Sequence, residues 1–491
     1  MRLPRPALRC GVGLLAGAFL WGSSAPAVSD EDLEVFRTAL GEIQRKYVDE
    51  TKVDTASLLR SASLGVVNSL DSESLVLDPS APPSAAPPAP AGPGLAVGVR
   101  DGFAHVLDVI EGSPADAAGL KPGDHLLQVD GKDVGGGKRI EIERSLAGPI
   151  GSKVWLLWED ADGALREALV DRTPSARPAW RRVTMPEGEY VQVFRLDDAA
   201  GDQIRSELAA PPAAGGVVLD LRRCAGGDPD AAIALADALL PGGITVATGR
   251  GAQGKPERRY ETTRKGSPLG VPVVLLLGFG TRGAPEILAG ALIDHRRALS
   301  VGGRTFGCAV RQKDFDLPAG DGRRVRLTIE RFATPSGVVL TGTGVGADLS
   351  AGEPLPRRIE RELERTKFVE RLAERLFAAP PAAFDAAAAK SGDLVLSATE
   401  AKGKGVAERR GEFERAFSIA ADALVRDLDL GIARDTLDQA RLALISRVKV
   451  ELARRHKSPE DALAVALRED PEAAMGLDLL RAVRRMAGGQ P

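Results

Sequence analysis

The sequence has almost no charge imbalance and few aromatic residues. Its 491 residues include 65 lysines and arginines against 68 aspartates and glutamates, for a formal net charge of −3, and aromatic residues make up only 4%. Composition therefore gives no support for a nucleic acid or an anionic membrane surface as a partner. The hydrophobic share of 44% and the charged share of 27% are ordinary for a globular protein. At this length, two to four folded units are expected.

Histidine is scarce as well. The four histidines are His105, His125, His295 and His456. None has a second ligand-type residue at the spacing of a metal site, and His295 is interpreted as structural. We therefore expect neither a metal ion nor another cofactor.

Only the N-terminus carries a sustained apolar run. Residues 1–27 combine three arginines, a short apolar core and a small-x-small triplet, which is the pattern of a cleaved secretory signal. A retained N-terminal anchor is the alternative, although the run is short for a bilayer span. Cleavage would remove Cys10 and leave Cys224 and Cys308 in an exported compartment that permits disulfides.

The rest of the chain divides where its composition changes. Residues 28–78 have apolar residues at helical spacing, and residues 79–93 are almost entirely Pro, Ala, Ser and Gly, typical of a stiff, extended linker. Residues 94–173 alternate short apolar runs with Gly and Asp turns, as in a small α+β unit. Residues 174–356 alternate strands with helices and predict a layered α/β core. Residues 357–491 predict amphipathic helices.

Two motifs in the small α+β unit resemble a bacterial PDZ domain. The first motif is Gly94, Leu95, Ala96 and Val97. The second runs from residue 112 to residue 124 and ends in a Pro-Gly-Asp turn. The resemblance implies that N–H groups of the first motif hold the carboxylate of a chain end, which adds a strand to the sheet edge. A PDZ fold kept only as a spacer is the alternative.

The remaining motifs resemble the carboxyl-terminal processing, or tail-specific, serine peptidases. Residues 70–79 look like the segment that leads into their PDZ domain, and residues 219–227 are similar to their L-D-L-R-x-N-P-G-G motif. Further matches to their core and closing strands lie at 286–295, 301–307, 334–337 and 344–348. The resemblance implies a multidomain α/β fold: a crotonase-like ββα layered core with an inserted α+β PDZ domain and helical regions at both ends.

The catalytic positions of that family are substituted in this sequence. Its members use a Ser nucleophile, within an S-A-S-A-S-E-I run, and a Lys base farther along the chain, assisted by a Gln. Here the run reads T-R-G-A-P-E-I, which places Gly283 at the nucleophile position, Cys308 at the lysine position and Gln312 at the glutamine position. Gly283 has no side chain to form an acyl intermediate. A cysteine such as Cys308 can act as a nucleophile, but Cys308 occupies the position of the family's base, and no nearby motif supplies a histidine.

Part of the family's oxyanion pocket survives in the sequence. Gly226, Gly227 and Gly283 can present backbone N–H groups to a carbonyl or carboxylate oxygen. Both mature cysteines fall in these active-site segments. One hypothesis is a Cys224–Cys308 disulfide that locks the cleft; the other is two free, buried thiols acting as small hydrophobes.

Thr281 and Lys313 are the candidates for displaced catalytic groups. Thr281 lies two residues before the nucleophile position, which near a helix start turns its side chain about 200° away. Lys313 lies at odd spacing from the lysine position, which on a regular strand faces the opposite side. Both are interpreted as ordinary surface residues without a catalytic role.

These observations predict an exported pseudopeptidase in the periplasm or cell envelope of a bacterium. It would bind protein C-termini or unstructured peptides as an adaptor, or regulate an active peptidase. One alternative is an active serine-type endopeptidase with a displaced nucleophile. The other is a structural envelope protein that assembles through its C-terminal helices. A membrane is expected as a partner only if the signal segment is retained.

Overall fold

The computed structural model divides the chain into two compact units, residues 1–65 and residues 66–491. It describes residues 29–77, 91–174, 177–209, 215–252, 257–263, 270–317, 322–350, 363, 366–378, 420–421, 423–428, 444–448, 450–451, 453–455 and 458–486. The predicted signal segment, residues 79–90 of the predicted linker and most of the predicted C-terminal helical region lie outside these ranges. Within them, no helix has the length and hydrophobicity required to cross a membrane.

Two helices open the described chain: α1 (Asp30–Lys46) and α2 (Thr55–Asn68). Ser29 caps α1, because its hydroxyl accepts from the Asp32 amide while the Asp32 carboxylate accepts from the Ser29 amide. Helix α1 buries none of its residues, and its apolar side chains are exposed. The region predicted to be helical up to residue 78 ends instead in strand β1 (Leu75–Leu77), because these residues pair with a strand of the core.

The PDZ-like region is a six-stranded sheet with two short helices. The strands are β2 (Leu95–Arg100), β3 (Phe103–Val109), β4 (His125–Val129), β5 (Lys132–Asp133), β6 (Lys153–Glu159) and β7 (Leu165–Asp171). The helices are α3 (Pro114–Ala117) and α4 (Arg139–Leu146). The order is β2-β3-β4-β6-β7, with β5 beside β4, so β2 lies at an edge of the sheet. Gly94 precedes that edge at φ +88, and a Cβ there would lie 2.3 Å from Ser113 Cβ.

The core contains two sheets with helices between them. The first sheet contains β8 (Trp180–Met185), β9 (Gly188–Val193), β10 (Val217–Asp220), β13 (Val273–Leu277) and β14 (Ala298–Gly302). The second contains β1, β11 (Thr245–Arg250), β12 (Arg258–Glu261), β15 (Val310–Asp316) and β16 (Arg324–Ala333), all antiparallel. The helices are α5 (Asp198–Ala209), α6 (Pro229–Leu239) and α7 (Ala284–Asp294).

The first sheet is buried on both faces, which its apolar parallel strands predict. Strands β9, β10, β13 and β14 run parallel, and β10 and β13 are buried throughout. One face packs on α5, α6 and α7. The other face packs on the C-terminal helices α9 (Pro459–Glu469) and α10 (Pro471–Met486), which follow α8 (Phe368–Ala378). The layered α/β core, the α+β unit and the terminal helices are therefore confirmed.

The segments predicted to be closing strands differ from expectation. Residues 334–337 form a turn and residues 344–348 form an irregular segment. Isolated bridges between Ala333 and Val339 and between Val301 and Leu349 flank them. The long strand that completes this sheet is β16, which precedes them.

Candidate active site

Gly283 lies at the turn that joins β13 to α7. Its backbone has φ +80 and ψ −122, a conformation that side-chain-bearing residues rarely adopt. A Cβ there would meet only ordinary contacts, with Cys308 O and Gly226 Cα each 3.7 Å away. Strained strand-to-helix turns expose the nucleophile in α/β-hydrolases. The turn is therefore present and has room for a side chain, but the side chain is missing.

A buried carboxylate holds the turn and the lysine position together. Glu286 accepts hydrogen bonds from the amides of Gly283 (2.8 Å), Gly307 (2.6 Å) and Cys308 (2.8 Å), and from the Thr305 hydroxyl (2.6 Å). Burial raises the pKa of Glu286, although these four donors act in the opposite direction. Because the Gly283 amide donates to Glu286, it is not free to stabilise an oxyanion.

The loop that contains Gly226 and Gly227 has one backbone N–H group that is available as a hydrogen-bond donor. Gly226 and Gly227 have φ angles of +128 and +136, and the Leu196 backbone bonds to both sides of the pair. A Cβ on Gly227 would lie 2.1 Å from Leu196 O, so only glycine fits there. Within the described chain, the Gly227 amide has no hydrogen-bond acceptor. Gly226 lies beside Gly283, as the sequence motifs suggested.

The two cysteines are free and buried, which corrects the disulfide hypothesis. Cys224 Sγ lies 3.8 Å from Gly226 O, whereas Cys308 Sγ accepts a hydrogen bond from Arg282 Nη2 at 3.3 Å. Burial raises the pKa of Cys308 to about 12, and the neighbouring Arg282 only partly offsets it. Burial also raises the pKa of Cys224. Both side chains are therefore protonated thiols at neutral pH, and a thiol is a poor nucleophile.

A buried ion pair lies beside Gly283 and Cys308, the family's nucleophile and lysine positions. The Arg282 side chain, in the residue before Gly283, binds Glu73 at 2.5 Å, and Glu73 also binds Arg139 of α4 at 3.2 Å. Burial opposes ionisation of Glu73, but the two arginines outweigh it and lower its pKa to about 2. The motif contained one signal for this pair, an arginine where the family run has alanine, but nothing in the sequence identified Glu73 as its partner.

The other candidate residues have structural contacts. Gln312 Nε2 donates to Glu73 O at 2.7 Å. Thr281 is fully buried, which corrects its interpretation as a surface residue. Its hydroxyl donates to Leu221 O at 2.9 Å and accepts from the Gly278 amide at 3.1 Å. His295 Nε2 lies 2.7 Å from Thr245 O. Lys313 is exposed, with its amine 5.6 Å from the centre of the Phe315 ring.

The PDZ-like sheet covers this cleft. Leu107 of β3 packs with Phe306 and Cys308 in one buried cluster. Gly98 of β2 approaches so closely that a Cβ would lie 2.8 Å from the Phe306 ring. Arg100 Nη1 donates to Phe306 O at 3.0 Å. Within the described ranges, no cluster of three or more His, Cys, Asp or Glu side chains is placed to hold a metal ion.

Comparison with known proteins agrees with this architecture. Residues 190–351 match peptidase family S41, and residues 105–160 match the PDZ domain. The chain contains a peptidase S41 domain and a PDZ domain. The resemblance to the carboxyl-terminal processing peptidases is therefore confirmed.

The S41 relatives include bacterial processing proteases. The carboxy-terminal-processing protease of Bartonella bacilliformis is 29% identical over 364 residues, covering 71% of this chain and 82% of the relative. The carboxyl-terminal-processing protease of Picosynechococcus is 36% identical over 244 residues, which span 47% of this chain and 57% of the relative. The solved photosystem II D1 C-terminal processing protease is 26% identical with a TM-score of 0.53, covering 68% of this chain and 96% of that chain.

Proposed function

We propose that this S41 chain binds extended polypeptides and does not cleave them. The observation that carries the proposal is the pair of substitutions at Gly283 and Cys308. Acyl transfer needs a nucleophile and a base within hydrogen-bond reach of each other. Gly283 supplies no side chain at the turn, and the thiol at the base position is buried against Arg282.

Neither Cys308 nor Arg282 can replace the missing base. With a pKa of about 12, only roughly one Cys308 side chain in 10⁵ is a thiolate at pH 7. The Arg282 guanidinium stays protonated at any working pH and has no acceptor site. The cleft therefore has a permanent cation where the family's chemistry needs a proton acceptor.

Binding is supported by the PDZ domain and its edge strand. Strand β2 pairs only with β3 within the described chain, so its outer edge can accept a further strand. Residues 95–97 form the first half of that strand, beside the conformationally restricted Gly94. The ligand class is a protein C-terminus or an unstructured peptide. The role is that of an adaptor, or a regulator of an active peptidase, in the bacterial cell envelope after export.

One experiment measures binding and cleavage together. Purified protein would be mixed with fluorescent unstructured peptides bearing apolar C-termini, anisotropy would be followed, and mass spectra would be taken after a day. We expect saturable binding and intact peptides. New fragments that are absent from a mock purification would refute the loss of activity, and absence of binding to every peptide would refute the binding role.

Peptidase activity is the second candidate, because the relatives are named processing proteases. It would require Thr281 or Cys308 as a displaced nucleophile. The Thr281 hydroxyl is held by two backbone groups, and the Cys308 thiol is buried with a raised pKa. Inhibition by a serine- or thiol-directed reagent, with the matching mass gain on one of these residues, would establish this candidate.

Assembly of an envelope structure through the C-terminal helices has less support. Helix α10 packs Leu477 and Leu480 against the first sheet and so has a role within its own chain. Size-exclusion chromatography over a range of protein concentrations would test assembly.

A further inference from the structure

Three arginines converge on one aromatic ring where the PDZ sheet meets the core. Arg177, Arg181 and Arg223 place their guanidinium carbons 4.2, 5.5 and 5.8 Å from the centre of the Phe194 ring. Stacking on a ring favours a guanidinium and fixes its orientation. We call these three residues the arginine triad.

The three guanidinium groups of the triad are not fully neutralised by the carboxylates that bind them. Among the residues that the structure describes, Asp108 of β3 is the only carboxylate that hydrogen-bonds to the triad: Asp108 Oδ1 accepts from Arg223 Nε at 2.5 Å, and Oδ2 accepts from Arg177 Nη2. Arg181 donates to the neutral Gln192 Oε1 at 2.8 Å and forms no ion pair within the described chain. Burial lowers the pKa of Arg177 and of Arg181, and the charge of Arg223 lowers each further.

The triad remains accessible and has donors to spare. About a quarter of each of the Arg177 and Arg223 side chains is exposed (22% and 27%), and Arg181 is half-buried. A guanidinium carries five N–H donors, and the contacts above use only a few of them. An anion with two oxygen atoms would complete the hydrogen bonds and neutralise part of the excess charge.

The triad is adjacent to the strand that the PDZ domain offers to a peptide. Asp108 lies directly opposite Ala96 in the β2–β3 ladder. Arg223 Nη2 also donates to Val109 O at 2.5 Å, and the next amide, of Ile110, donates to Gly94 O at 2.7 Å. Neighbouring strands lie about 4.8 Å apart, so a peptide added to the outer edge of β2 would lie about 10 Å from β3. An arginine side chain and a glutamate side chain that extend toward each other can span that separation.

We propose that the arginine triad binds an acidic side chain of a polypeptide whose terminus is held by the PDZ edge strand. The inference rests on the proposed peptide-binding function and narrows its ligand to tails that carry Asp or Glu upstream of an apolar end. The first PDZ motif takes the terminal carboxylate, and the triad takes the second one.

The test compares matched peptides on matched variants. One peptide carries several Glu residues just before an apolar, free C-terminus, and the other carries Gln at the same positions. We expect the Glu peptide to bind the unmodified protein about tenfold more tightly, the size of one charge-assisted hydrogen bond. Arg181→Gln should abolish the preference, and Arg181→Lys should restore part of it. Arg205→Gln, at an exposed position of α5, makes the same charge change and should keep the preference.

Equal binding of the two peptides by the unmodified protein would overturn the inference, as would an undiminished preference in Arg181→Gln. The inference would also be overturned if the effect of Arg181→Gln on peptide affinity changed when the peptide's C-terminus is amidated but was the same for the Glu peptide and the Gln peptide. If neither peptide binds, the proposed function has failed, and inorganic sulfate tests the triad separately. Sulfate should raise the Tm of the unmodified protein and of Arg205→Gln more than that of Arg181→Gln. Equal shifts in all three would refute the anion site itself.

Discussion

The buried Arg282–Glu73 pair makes a stability prediction that can be tested by a double-mutant cycle. Removing one partner of a buried ion pair costs about 3–5 kcal/mol, because the other charge is left unpaired in the interior. Glu73 is 7% exposed and keeps Arg139 after Arg282→Met, so we expect a cost of about 3 kcal/mol. The double variant Arg282→Met/Glu73→Gln leaves no unpaired carboxylate, and its cost should fall below the sum of the two single costs by ~2 kcal/mol.

Urea unfolding followed by fluorescence would measure these free energies. The control is the exposed pair Arg205–Asp202, whose removal should cost less than about 1 kcal/mol. If the effects of Arg282→Met and Glu73→Gln on the free energy of unfolding are additive, the two side chains are not coupled. The ion pair would then not be what holds Arg282 at the cleft.

Acid titration examines the same pair independently. The pKa of Glu73 is about 2 in the folded chain, below the ordinary 4.5. Its ionised form therefore stabilises the fold above pH 4.5, and that contribution of roughly 3 kcal/mol is lost as the pH falls from 4.5 to 2. The Glu73→Gln variant should lack this part of the acid dependence. Identical acid profiles for the two proteins would contradict the assignment.

Three further predictions concern the thiols, a buried histidine and the C-terminal helix. Cys224 and Cys308 should react with a thiol reagent only after unfolding in urea, and fast labelling of the native protein would contradict their burial. Burial, then His125 and Arg100, lowers the pKa of His105 to about 4, so stability should fall between pH 6.5 and 4 in the unmodified protein and less in His105→Phe. Arg222→Met loses its ion pairs with Asp470, which precedes α10, and with Glu472 in its first turn, and should make that helix more susceptible to limited proteolysis. Unchanged cleavage kinetics would show that these ion pairs do not hold α10 in place.

Sequence patterns predicted the buried strands well and the charged strands badly. Strands β10 and β13 are short, continuous apolar runs, which is the pattern that predicts a buried strand. Strand β15 is largely polar and gives no apolar signal. Its charges are satisfied across the ladder, since Asp314 accepts from Arg326 Nε at 2.7 Å on the opposite strand. Such pairs depend on register, which a single sequence does not specify.

At the candidate site, too, a single sequence does not specify which side chains meet. Motif position placed Gly283 and Cys308 in the cleft, because the backbone of the turn and its helix follow from local sequence. The orientation of side chains does not follow in the same way: Cys308 points to Arg282 and Cys224 to Gly226 O, so cysteines in two adjacent loops remain unbridged. The partner of Arg282 lies 209 residues away in the chain, and only the assembled fold brings Glu73 to it.

The residues at 282, 283 and 308 are best understood as one coordinated set of changes. With cysteine at 308, the volume that a lysine would need is open to the Arg282 guanidinium, whose Nη2 lies 3.3 Å from the thiol. A lysine restored there would enter that volume, and its charge would stand about 4 Å from a second cation, an interaction of roughly 4 kcal/mol at an effective dielectric constant of 20. We therefore expect no cleavage of tail peptides by Gly283→Ser/Cys308→Lys, and we expect cleavage to require Arg282→Ala as well, which restores the family's alanine. Mass spectra of tail peptides incubated with the double and triple variants would decide this. Cleavage by the double variant would show that Arg282 does not occupy the site of the base.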